Sequence, residues 1–181
     1  MITSAPAQRN YSENRHWSDK FIPLIKNIVG PYMLKPSTLE QDQKQAADLV
    51  VLTGHNLTIA CRVRRHVYLK KYPNQFTVRA KAKYARLTEL DKIKMGWGDW
   101  MFYGHSNKPE TDFLQWYLIN LSAFREHLKA NDAMIKGGQI PNGDGTELAW
   151  FDVTSFPLYP PILISSSDVC FNPELALFSP S

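Results

Sequence analysis

Residues 48–63, DLVVLTGHNLTIACRV, hold two short apolar runs, 49–52 and 57–63, on either side of Thr53-Gly54-His55-Asn56. Apolar and β-branched residues punctuated by such a turn predict two strands joined as a hairpin, the first beginning at Asp48. A carboxylate at the mouth of a buried strand has two ordinary uses. It caps the polar stretch before it, here TLEQDQKQAAD over 38–48, or it stands at the sheet edge for chemistry.

Working outward toward the N-terminus, residues 1–15 are polar. Trp17, Phe21, Ile22, Leu24, Ile25, Ile28 and Val29 then recur at three- and four-residue intervals, which predicts one helix stopped by Gly30-Pro31. Toward the C-terminus, residues 66–72 read as a prolongation of the second strand until Pro73-Asn74 makes a turn. Residues 75–80 alternate as a third strand, with Phe76 and Val78 on one face and Thr77 and Arg79 on the other.

Thr88 suits the cap of a helix from Glu89 to about Met95, with Leu90, Ile93 and Trp97 on one side and Gly96 and Gly98 ending it. Residues 100–104 and 113–121 follow as two strands of a hairpin, and Ser122 suits the cap of a helix through 128. The glycine- and proline-rich stretch 137–145 reads as a loop and 146–153 as a strand. The order is helix, three strands, helix, two strands, helix, strand. It predicts an α/β (α+β) fold with a mixed, largely antiparallel central sheet flanked by helices. The expected organisation is a flexible N-terminus over 1–16, one domain over 17–153 and an irregular proline-rich wrap over 154–181.

Charge is the second informative feature. Between Arg62 and Arg86 stand nine Lys/Arg residues and no Asp or Glu; nine positive charges against a chain total of +4 leave −5 for the rest. Basicity is therefore local, and a polyanion is its natural partner. Lys/Arg runs also form plain solvated faces. Tyr68, Tyr72, Phe76 and Tyr84 are interleaved with the charges, which suits stacking on bases or cations packing over rings, while strand aromatics also fill cores.

The 181 residues suit one domain, and no stretch approaches the roughly 20 apolar residues of a membrane-spanning helix. The N-terminus lacks the apolar centre of a signal peptide, so a soluble cytoplasmic protein is expected, with no membrane partner. Cys61 and Cys170 stand far apart without metal-ligand spacing, and the five histidines form no HxxxH or HxH pair. No P-loop, GxGxxG, GxSxG or internal repeat is present, so nucleotide-cofactor chemistry is not indicated.

The predicted α-β-β-β-α-β order, with Asp48 at the mouth of an early strand, resembles the PD-(D/E)XK, or restriction-endonuclease-like, superfamily. The stretches AADLVVL, IACRVRR, QFTVRA and TELDKI also look like phage-type proteins with that core. The similarity spans roughly residues 17–153. It implies a Mg²⁺- or Mn²⁺-dependent nuclease in which carboxylates hold the ion and cations hold the phosphate. Asp48 matches the first acidic position. At the second, Ala60-Cys61-Arg62 stands where the family has acidic-x-Lys, and Arg is too basic to surrender a proton though it can still orient phosphate.

Some members of the superfamily move the missing residues to the following helix, where this chain has Glu89 and Lys92. The resemblance thus assigns Asp48 and Glu89 to the metal, Lys92 to the attacking water, and Arg62 and Arg79 to the scissile phosphate. Glu89 and Lys92 also suit an ordinary surface ion pair. Glu40 and Asp42 suit a third carboxylate or plain loop charges. Arg64, Arg65, Lys70, Lys71, Arg79, Lys81 and Lys83 would carry the nucleic-acid backbone. The alternative is an inactive nuclease-like module that binds nucleic acid as a phage-encoded regulator, or binds a host-defence protein as an inhibitor.

Overall fold

In a computed structural model of the protein, the residues described are 11–36, 49–51, 57–82, 87–130, 135–142, 145–157 and 159–167. The chain divides into two compact units, residues 1–54 and 55–181, where the sequence led to the expectation of one domain over 17–153.

The first unit carries two helices in place of the one expected. Helix α1 is Tyr11–Asp19 and α2 is Ile22–Val29, so helical structure begins inside the stretch expected to be loose. Pro23 in the first turn of α2 explains the division, because it has no amide to continue a ladder from the preceding helix and is tolerated only at a helix start. The three-to-four spacing still serves burial, with Phe21, Ile25 and Val29 each nearly inaccessible to solvent. Strands β1 (Leu34–Pro36) and β2 (Leu49–Val51) pair antiparallel, with Lys35 opposite Val50.

That pairing overturns the expected hairpin between the runs at 49–52 and 57–63. Strand β3 (Ile59–Arg64) instead lies parallel to β5 (Trp100–Ser106), in register from Ile59 opposite Trp100 to Arg64 opposite His105. A side-chain clamp fixes the entry to this pair: Asp99 Oδ2 accepts from the Thr58 amide and hydroxyl, both at 2.8 Å. Those hydrogen bonds hold the Asp99 carboxyl below the usual carboxylate range.

Parallel neighbours need a long crossover, here made of three elements. Helix α3 (His66–Lys71) occupies what the sequence suggested was more strand. Its Lys70 and Lys71 fall in the last turn, where cations complement the helix dipole. Strand β4 (Gln75–Lys81) follows, with Phe76 and Val78 fully buried and Arg79 exposed, as the alternation predicts, but Thr77, expected on the polar face with Arg79, is buried too. Helix α4 (Glu89–Lys94) starts at Thr88, whose hydroxyl accepts from the Asp91 amide while Asp91 accepts from the Thr88 amide, a reciprocal cap.

Strand β6 (Phe113–Asn120) pairs antiparallel with β5, as expected of a hairpin. Helix α5 (Leu121–Lys129) is capped by Asn120, not Ser122: its side-chain oxygen accepts from the amides of Ser122 and Ala123. Two expectations of irregular chain are overturned. Residues Gly137–Pro141 form β7, against β8 (Glu147–Asp152), and Leu163–Ser166 form β9, which joins β6. The close approach of β7 requires its glycines, because a Cβ at Gly137 would sit 2.7 Å from the Trp150 carbonyl oxygen.

The α/β class with mixed, largely antiparallel pairing therefore holds, but the second unit splits its strands between two sheets, ordered β3-β5-β6-β9 and β4-β8-β7. Phe76 of one sheet meets Tyr103 of the other edge-on at 5.7 Å and Phe124 of α5 at 5.5 Å. Leu90 and Ile93 of α4 join the same core. Among the described residues, no helix is long and apolar enough to cross a membrane.

Candidate nucleic-acid interface

Strand β3 places Arg62 and Arg64 two residues apart, hence on the same side of the strand, opposite Tyr103 and His105 of β5. Both reach toward the β4–α4 segment. Arg62 forms an ion pair with Glu89 at the start of α4, and the Arg79 amide donates to the same Glu89 Oε2 at 3.0 Å. The pair is half-buried, with side-chain exposures of 20% and 31%. Arg64 donates to Thr77 Oγ1 at 3.4 Å and lays its guanidinium 4.6 Å from the centre of the Tyr68 ring. Thr77 in turn lies 3.0 Å from the Tyr103 hydroxyl.

Three of the residues expected at the site, Arg62, Arg79 and Glu89, are thus brought together, Arg79 through its backbone amide. They make a different arrangement from the expected one. Glu89 was expected to face a metal ion and Arg62 a phosphate; here each satisfies the other. Asp48, the expected second metal ligand, lies outside the described residues, as do Glu40, Asp42 and Lys83. A hard divalent ion takes several oxygen ligands. Among the described residues no three of His, Cys, Asp and Glu gather, and Glu89 has its Oε2 taken by a guanidinium and an amide, so these residues do not fit a Mg²⁺ centre as they stand.

Lys92, expected to serve the attacking water, is placed beside an aromatic ring. Its ammonium sits 5.6 Å from the centre of the Trp97 ring. Trp97 itself was expected on the apolar side of α4 with Leu90 and Ile93, but it is 55% exposed. Gly96 explains this, since its φ of +98° turns the chain out of the helical path before Trp97 is reached.

The basic segment is partly neutralised by acids from distant sequence. Arg62 meets Glu89, Arg65 meets Glu110 at 3.3 Å and Lys81 meets Glu147 at 2.9 Å. Arg64, Lys70, Lys71 and Arg79 have no carboxylate partner among the described residues. Of the interleaved aromatics, Tyr68 and Tyr72 take cations, the latter with Lys71 at 5.2 Å, and Phe76 fills the core. Tyr84 lies outside the described residues.

Sequence reasoning attached no role to His105. It is buried, its Nδ1 has no hydrogen-bond partner among the described residues, and burial, with a smaller contribution from Arg64, pushes its pKa down to about 4. It is therefore a neutral imidazole at neutral pH, edge-on to Tyr103 at 5.5 Å. Strand β5 runs on past the expected end at residue 104, through His105 to Ser106, with His105 opposite Gln115.

No family model, curated protein or solved structure matches the chain.

Proposed function

We propose that this protein binds nucleic acid through its sugar-phosphate backbone, using the consecutive elements β3, α3 and β4, and that binding rather than cleavage is its primary activity. The observation that carries this reading is the set Arg64, Lys70, Lys71 and Arg79, cations on successive elements with no carboxylate partner among the described residues. Tyr68 and Tyr72 beneath two of them add the amphipathic ring surface that suits such a face.

Phosphate binding by about four cations releases counterions, so the log–log slope of affinity against salt should be about −3. Fluorescence anisotropy of labelled oligonucleotides tests this. Between about 50 and about 200 mM salt the affinity should fall on the order of 50–150-fold. Affinity independent of salt would sink the reading.

A second reading, metal-dependent phosphodiester cleavage on a restriction-endonuclease-like core, draws support from the convergence of Arg62 and Glu89. It requires Glu89 to exchange Arg62 for a cation. Incubating the protein with plasmid, linear and single-stranded substrates in Mg²⁺ or Mn²⁺, beside Asp48→Ala and Glu89→Ala, separates the two. Metal-dependent cleavage abolished by both changes supports the enzyme, whereas binding that survives both without cleavage supports the module.

A further inference from the structure

Trp97 sits on a backbone that is held at every step yet leaves its ring in water. The Trp97 amide donates to the Lys92 carbonyl at 2.9 Å, the Gly96 amide to Ile93 at 3.0 Å, and Arg125 donates to the Gly98 carbonyl at 2.9 Å. Gly96 and Gly98 flank it at φ of +98° and +77°, conformations that L side chains rarely adopt. The exposure of this indole therefore belongs to an ordered turn, not a frayed end. Such a turn withholds from the core one of the largest apolar surfaces available to the chain.

A cation stands at the ring. Lys92 is seated by it, and Glu89, at the other end of the same short helix, holds Arg62. Lys92 lies three residues from Glu89, about 4.5 Å along the axis, so the ring stands within about one or two turns of the Arg62–Glu89 pair. A purely apolar partner would have to desolvate Lys92 without compensation. A nucleotide answers both features, offering a π-face to the indole and a phosphate to the Lys92 ammonium.

Building on the nucleic-acid reading above, we propose that Trp97 is a base-stacking platform and that the ligand it serves is single-stranded nucleic acid. In a duplex both faces of each base are already covered by neighbours, so only unpaired bases reach the ring. The phosphate contacts of β3, α3 and β4 serve either form of strand; Trp97 supplies the preference.

The experiment compares wild type, Trp97→Ala, Trp97→Leu and Trp97→Tyr on a labelled oligonucleotide of about 20 nucleotides, single-stranded and as duplex, with folding checked by far-UV circular dichroism and melting. Trp97→Ala and Trp97→Leu should each lose about tenfold in single-strand affinity, the typical effect of deleting one stacked base contact. Duplex affinity and the salt slope should stay unchanged, and Trp97→Tyr should keep most of the wild-type affinity. Leu separates stacking from mere apolar area. Equal single-strand affinity of wild type and Trp97→Ala, or an equal loss on both strand forms, overturns the inference alone. Wild type that binds neither form overturns the nucleic-acid reading and this inference with it.

Discussion

Arg62 and Glu89 close an ion pair between the edge strand β3 and the first residue of α4, and the same carboxylate oxygen accepts the Arg79 amide. A guanidinium and a backbone amide converging on one oxygen form the kind of grip that also suits a phosphate. On the nucleic-acid reading proposed above, Glu89 competes with an incoming phosphodiester for Arg62. Glu89→Gln should raise oligonucleotide affinity a few-fold while lowering stability by about 1–2 kcal/mol, through loss of a charge-assisted hydrogen bond. Anisotropy and urea unfolding read the two effects, and weaker binding by the variant would contradict the competition.

Acid should weaken the fold through His105. Its pKa in the fold is lowered to about 4 from 6.5, so between these values the unfolded chain binds the extra proton. Stability is complete above about pH 6.5 and declines as pH falls toward 4, by roughly 3 kcal/mol at most. Arg64 faces the ring with a positive charge and Tyr103 with a neutral edge, so neither rescues an imidazolium. Urea midpoints at pH 7 and pH 4.5 measure the decline, and His105→Gln should flatten it.

Gly104 on β5 faces the Phe113 ring, where an added Cβ would come within 2.8 Å. The ring has little freedom to yield because Phe102 packs against it at 5.1 Å and against Trp116 at 5.8 Å. Gly104→Ala should cost about 1–3 kcal/mol by overpacking, seen as a lowered melting temperature.

Asn120 both ends β6 and caps α5, accepting two amides with one oxygen. Asn120→Ala should destabilise by about 1 kcal/mol, while Ser122→Ala at the exposed second helical position should be near neutral in the same unfolding assay.

The stretch from β4 to β6 was legible because each element carries its own local signal. Phe76 and Val78 alternate, Thr88 offers a cap, Gly96 ends a helix, and two apolar strands flank a polar loop. Local signals failed where the partner is remote. The runs at 49–52 and 57–63 have the look of a hairpin, but β3 pairs with β5, forty residues away, through a register that Thr58 and Asp99 anchor. Charge behaved likewise: the basic segment contains no acid, and its counter-charges Glu89, Glu110 and Glu147 arrive by folding. Glu89 was singled out through the resemblance, as a metal ligand; its pairing with Arg62 depends on the crossover geometry, which no spacing in the sequence encodes.

Among the described residues, strand β3 has a strand neighbour on one side only, and its outer ladder is there a template on which another extended chain could nucleate. Arg64, with no carboxylate partner among the described residues, lies at the end of that strand, and Arg62 on the same strand is charged whenever its pairing with Glu89 has yet to form. Two copies meeting edge-on before folding is complete would bring like charges together, which deters self-association into fibres. Neutralising both arginines would exact its toll during refolding at high protein concentration, as turbidity rather than as a shifted melting point.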